Sequence, residues 1–206
     1  MKNKSININQ RIPLDTLYTG IISFLNESYS EEYILEQLRL EFKGENRLKK
    51  SVRIVNKIIQ NNPLKETILA HKTEIEQAIK KKNDRNLILI ALLSSAFVFS
   101  FDLLRILGKY LSVQDFVNRE TLKKALGNIY GGNRATDNAI DSIIPMFLEA
   151  DIIIRPSLGI YHMNKNFQIS SSITKSLFIE SFKENTNLIE LQDYHYRDPY
   201  FFILSF

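Results

Sequence analysis

The spacing of apolar side chains predicts a chain built mainly from amphipathic helices. Leu14, Leu17, Tyr18, Ile21, Ile22 and Leu25 recur at three- and four-residue intervals, which gives a first helix opening at Pro13. After a turn at residues 26–28, Ser30 is placed to cap a second helix over residues 31–42. Its hydroxyl can accept from a first-turn N–H, and Glu31 and Glu32 suit the positive end of the helix dipole. Ile34, Leu35, Leu38 and Phe42 form the inward side, and Gly44 closes the element. Asn46 is expected to cap a third helix over residues 47–60, apolar at Leu48, Val52, Val55, Ile58 and Ile59 and stopped by Asn61, Asn62 and Pro63. Three short helices of this kind, the last amphipathic and basic, are the pattern of a helix-turn-helix unit.

Residues 64–84 continue as a charged helix that ends in Lys80, Lys81, Lys82 and Arg85 around Asn83 and Asp84, a linker or a solvated helix end. The stretch 87–107 is apolar almost all round, as expected of one buried central helix packed between two lobes. Its uncharged part, residues 86–101, is followed at once by Asp102 and Arg105 and falls short of the roughly 20 apolar residues that a membrane span requires.

A second lobe is expected from about Ser112. A helix within residues 118–130 carries Leu122, Ala125, Leu126 and Ile129 on one face, and Gly131 and Gly132 form a turn in which positive φ is allowed. In the next helix Ile140, Ile143, Ile144, Phe147 and Leu148 form one stripe, and Pro145 inside it predicts a kink or an early break. Residues 151–154, β-branched at Ile152, Ile153 and Ile154, the turn residues 156–159 and the returning segment 160–163 then read as a hairpin. The expected fold is therefore mainly α. Two helical lobes of winged-helix or helix-turn-helix character are joined by a buried central helix, with a small β-hairpin wing near 151–163. The corresponding units are 1–63, 64–111, 112–168 and 169–206. The last holds a helix over 173–183 and an aromatic tail with Tyr194, Tyr196, Tyr200, Phe201, Phe202 and Phe206, apolar enough to dock on its own core or on a partner.

Composition agrees with a folded chain, with 44% hydrophobic and 24% charged residues and only 7 Gly and 5 Pro. The formal charge of +4 gives mild support to a polyanionic partner. The absence of Cys excludes disulfides and thiolate metal sites and suits a cytoplasmic location. The polar start of the chain lacks the apolar stretch of a secretory signal.

Charge is concentrated in the third helix, where Arg47, Lys49, Lys50, Arg53 and Lys57 occur with no acidic residue among them. Lys49, Arg53 and Lys57 are four apart and line one side, so they can meet successive phosphates; a plain solvated face is the competing reading. In the second lobe Asn133, Arg134, Thr136 and Asn138 begin the expected recognition helix, with Arg155, Ser157 and Lys165 as wing candidates. Asp137 and Asp141 would oppose a phosphate backbone there, and the same residues can simply cap the helix. Catalysis finds no constellation. His71, His162 and His195 are far apart in sequence, no nucleotide-binding or nucleophile-elbow motif is present, and no cofactor or metal is expected.

Four segments carry a resemblance to a known family: LYTGIISFLNESYSEEYILEQL, NRLKKSVRIVNKII, LILIALLSSAFVFSFDLL and AIDSIIPMFLEADII, which cover much of residues 17–154. Their order resembles the BrxA proteins of bacterial BREX phage-defence systems. The resemblance implies winged-helix DNA binding and cooperation with other defence-system proteins, without a catalytic activity. The tail after Asn187 departs from that pattern. The expectation is a DNA-binding accessory protein acting on double-stranded DNA. A protein–protein adaptor using the aromatic tail and an RNA-binding helical domain are the alternatives.

Overall fold

The computed structural model describes residues 5–204. Its elements are α1 (Leu14–Leu25), α2 (Glu31–Glu41), α3 (Glu45–Ile58), α4 (Lys65–Ala70), α5 (Lys72–Ala78), α6 (Lys82–Ala96), α7 (Val98–Leu111), β1 (Val117–Asn118), α8 (Arg119–Tyr130), α9 (Arg134–Glu149), β2 (Ile153–Ser157), β3 (Ile160–Met163) and α10 (Ser172–Thr186), followed by 3-10 turns at Asp193–Arg197 and Pro199–Phe201. The protein is mainly helical with one small antiparallel sheet, of strand order β1-β3-β2. Among the described residues no helix is long and apolar enough to cross a membrane.

The first two helices lie where the apolar periodicity puts them, and Ser30 accepts from the Tyr33 N–H at 3.1 Å. The third begins two residues early. Gly44, at φ 94°, takes the N-cap position with no side-chain cap, so the expected Asn46 cap is not formed. Residues 64–84 are not one helix: α4 and α5 are separated at His71, and α6 already begins at Lys82.

The expected central helix is two helices. The chain breaks at Phe97, in extended geometry with φ −130° and ψ 103°, which ends α6 and starts α7. Every residue from Asn86 to Phe97 is buried. The polar side chains around this break have work inside the core. Asn62 donates to the carbonyls of Ile58 and Leu92 at 2.6 and 2.9 Å and accepts from Ser95 at 2.9 Å, while Asn185 of α10 donates to the Ser94 carbonyl at 3.0 Å. Carbonyls near the end of a buried helix would otherwise lose water without replacement.

From α7 onward the order is helix, strand, helix, helix, strand, strand, which is the order of a winged-helix unit. The expected hairpin is present, and β1 adds a third strand through Val117 opposite Tyr161 and Asn118 opposite Ile160. Two paired residues leave almost no period-2 signal to read in sequence. Pro145 does not end α9, which runs through it to Glu149. Packing of Ile140, Ile143, Ile144, Met146 and Phe147, all buried, holds the helix across the missing N–H.

The aromatic tail belongs to the core. Tyr200 is fully buried and stacks on Phe178 at 4.4 Å between ring centroids, with Phe101 at 4.7 Å, and its hydroxyl meets Ser181 at 3.1 Å. Arg105 of α7 holds Asp198 with two hydrogen bonds of 2.9 and 2.6 Å. Tyr194 remains 66% exposed. Phe206 lies outside the described residues. The buried apolar side chains, from Ile8 to Ile203, form a single cluster.

Candidate nucleic-acid interface

On α3 the helical repeat sorts the side chains sharply. Leu48, Ser51, Val52, Ile54, Val55, Asn56 and Ile58 are buried, whereas Arg47, Lys49, Lys50 and Arg53 are exposed and Lys57 is half-buried. At about 100° per residue, Lys49, Arg53, Lys57 and Lys50 fall within an arc of roughly 100°. Three of them, Lys49, Arg53 and Lys57, are spaced about 6 Å apart along the axis. Lys49, Lys50 and Arg53 have no carboxylate within 4 Å among the described residues. Arg47 lies over the Phe42 ring at 4.3 Å, and Lys57 over Phe97 at 4.4 Å, so both cationic ends rest on aromatic faces.

The two uncharged polar side chains in the middle of α3 face inward and are used there. Ser51 accepts from Gln10 at 2.6 Å and donates to the Arg47 carbonyl at 3.0 Å. Asn56 accepts from the Tyr29 hydroxyl and donates to Glu31, each at 2.5 Å. Burial, reinforced by the charge of Glu31, pushes the Tyr29 hydroxyl well above its ordinary pKa, so it stays a donor. This network sets α2 against α3.

One consequence was not readable from sequence. Glu31 and Glu32, which suit the dipole of α2, also form with Leu35 one wall of a groove of about 310 Å³ whose other wall is Lys49, Val52 and Arg53. The basic ridge therefore has an acidic flank, although its four cations outnumber those two carboxylates. Helix spacing within α3 carries no signal for this neighbour, which comes from the packing of α2.

The second set of predicted residues has a different environment. Asn133 caps α9, its side-chain oxygen accepting from Ala135 and Thr136 N–H at 2.9 and 3.2 Å. Thr136 is 1% exposed and donates to the Gly131 carbonyl at 2.5 Å, so its hydroxyl is withdrawn from any phosphate. Arg134 and Asn138 are exposed. The two acids on this face are paired to α8: Asp141 accepts from Arg119 at 3.0 and 2.8 Å, and Asp137 from Lys123 at 3.0 Å. The hydrogen bond to Asp141 raises the Arg119 pKa further, against the opposing effect of partial burial. Past Asp141 the helix is buried or half-buried to its end. Only its first two turns can meet a ligand. Arg155 is exposed on β2, as is Ser157, and Lys165 approaches Asp115 at 3.9 Å.

Gln10 touches Ser51 of α3, and within the same segment Arg11 and Leu14 bind Glu149 in the last turn of α9. Arg134 stands at the other end of that helix, about 22 Å along its axis at 1.5 Å per residue.

Comparisons with protein-family models, with curated proteins and with solved structures find no match. The candidate site therefore rests on its own geometry. The three histidines are separate: His71 faces Glu74 at 3.4 Å, His162 stacks against Phe116 at 6.0 Å, and His195 accepts from the Gln192 N–H at 2.8 Å.

Proposed function

We propose that this chain is a non-enzymatic accessory protein that binds double-stranded DNA through the exposed ridge of α3. One observation carries the reading: Lys49, Lys50 and Arg53 share a solvent-facing arc with Lys57 and have no carboxylate partner among the described residues. Unneutralised cations in a row release counterions from a phosphate backbone on contact, and this term supplies most of the affinity in such complexes. The resemblance to the BrxA proteins extends the proposal to a place beside other proteins of a BREX-type defence system in the cytoplasm.

The role of the second lobe is narrower than a full recognition helix. Arg134, Asn138 and Arg155 remain as auxiliary contacts, while Asn133 and Thr136 maintain the start of α9. The adaptor alternative draws less from the tail, because Tyr200 and Phe201 are buried there, and keeps the modest net charge and the exposed Tyr194 in its favour.

Fluorescence anisotropy of labelled duplex DNA against salt tests the proposal. With three to four phosphate contacts the logarithm of the association constant falls with a slope of about −3, or roughly 60-fold between 50 and 200 mM salt. A flat response, or absence of binding, overturns it. Preference for single-stranded or structured RNA in competition replaces DNA as the partner.

A further inference from the structure

Resting on that reading, we infer that α3 holds the sugar-phosphate backbone from outside the groove, so that DNA binding by this protein is independent of base sequence. Direct readout needs a helix that enters the major groove, roughly 12 Å wide and 8.5 Å deep, with amide, hydroxyl or guanidinium groups reaching base edges. On α3 the first requirement is not met, and among the described residues the exposed ridge offers only the Arg53 guanidinium and the Asn46 amide toward the second.

The helix is not free to enter. Its Lys49 and Arg53 side is walled by Glu31, Glu32 and Leu35 of α2, and Lys57 leans over Phe97 at the junction of α6 and α7. Pushing α3 into a groove would bring the carboxylates of α2 against a phosphate wall, a like-charge approach in a partly desolvated gap. A ridge laid along one strand keeps those carboxylates at its side instead.

The chemistry on the ridge points the same way. The mid-helix amide of Asn56, which could read a base with a pair of hydrogen bonds, is spent internally on Tyr29 and Glu31, and the Ser51 hydroxyl on Gln10 and the Arg47 carbonyl. What remains outward is Lys49, Lys50 and Arg53, with Lys57 half-buried at the end of the row; Lys49, Arg53 and Lys57 lie about 6 Å apart along the axis, a spacing that suits a repeating anion. Asn46, exposed in the first turn, is the one amide on that side of the helix.

In the second lobe any base reader is confined to the first two turns of α9, where Arg134 and Asn138 are exposed. Between them and beyond, that helix presents Asp137 and Asp141 locked to Lys123 and Arg119, and past Asp141 it is buried or half-buried.

The test uses the full chain and three unrelated duplexes of one length and different base composition, measured by anisotropy at one salt concentration. The dissociation constants agree within about threefold, and Lys49→Ala/Arg53→Ala weakens all three by the same factor and lowers the salt slope by about 2. Asn46→Ala leaves all three within twofold. A tenfold preference for one duplex, or a loss confined to one duplex in Asn46→Ala, overturns sequence independence while leaving DNA binding in place. Failure to bind any duplex overturns the proposed function itself. Circular dichroism melts of the variants exclude unfolding, since all three positions are exposed.

Discussion

The carboxylate of Glu149 accepts from the backbone N–H of Leu14 at 2.8 Å, so the last turn of α9 caps the first turn of α1 across 135 residues of sequence. Pro13 at the N-cap position offers no side-chain acceptor, and Glu149 supplies it while also binding Arg11 at 2.7 Å. One side chain thus joins the start of α1 to the end of α9.

Glu149→Ala should therefore destabilise the protein by about 1–2 kcal/mol, the usual cost of a lost helix cap. Arg11→Ala should cost less than about 1 kcal/mol, because that ion pair is largely solvated. Chemical denaturation of both variants checks the order. Equal losses would show that the charge pair, and not the cap, is what matters.

Gly108 on α7 lies directly beneath the tail: a Cβ there would stand 1.9 Å from the Pro199 carbonyl oxygen and 2.7 Å from the Phe202 ring. Backbone cannot yield that much, so Gly108→Ala should expel residues 198–204 from α7 and cost about 1–3 kcal/mol as an overpacking change. Limited proteolysis should then cleave within the tail, where the parent chain resists.

Tyr200→Ala removes a ring that touches Phe178, Phe101 and Phe182, and should cost about 3–5 kcal/mol. Tyr194→Ala, at a 66% exposed position, should change stability by less than about 0.5 kcal/mol. Thermal melts separate the two. Deleting residues 191–206 should give an unstable or insoluble product and not a folded core lacking a partner-binding arm.

Asp84 is 1% exposed and accepts from the N–H groups of Ser170 and Ser171 at 3.1 and 2.9 Å and from the Ser170 hydroxyl at 2.8 Å. Burial pushes its carboxyl pKa up, but the Thr174 hydroxyl together with these donors outweighs burial and holds it below the ordinary value. A depressed folded pKa means stability that is present above the unfolded value, near 3.9, and is lost as pH falls through the folded value. Asp84→Asn should be less stable than the parent at neutral pH, by about 1–3 kcal/mol, and the difference should shrink below about pH 4. Denaturation at pH 7 and pH 3 measures it; a difference unchanged between them would contradict the assignment.

Much of the fold was legible because long amphipathic runs repeat their period. Ile140, Ile143, Ile144 and Phe147 outweighed Pro145 in α9, and Ser30 capped α2 as its chemistry suggested. The break at Phe97 was not legible, since a segment apolar on every side has no phase to mark where a helix turns. The site divided in the same manner. The exposed arc on α3 follows from its own spacing, but the inward use of Thr136, the pairing of Asp137 and Asp141, and the Glu31 and Glu32 wall depend on neighbours that periodicity does not encode.

By itself the sequence determined the helical class, the buried middle of the chain and a helix with one basic side, because each is written in local spacing and composition. Tertiary structure alone decided that Tyr200 and Phe201 of the tail are core, that Thr136 is turned inward, and that α3 is flanked by carboxylates. Those outcomes turn on which surfaces meet, and contacts between residues as distant as Leu14 and Glu149 are chosen by packing of the whole chain, not by any one stretch of it.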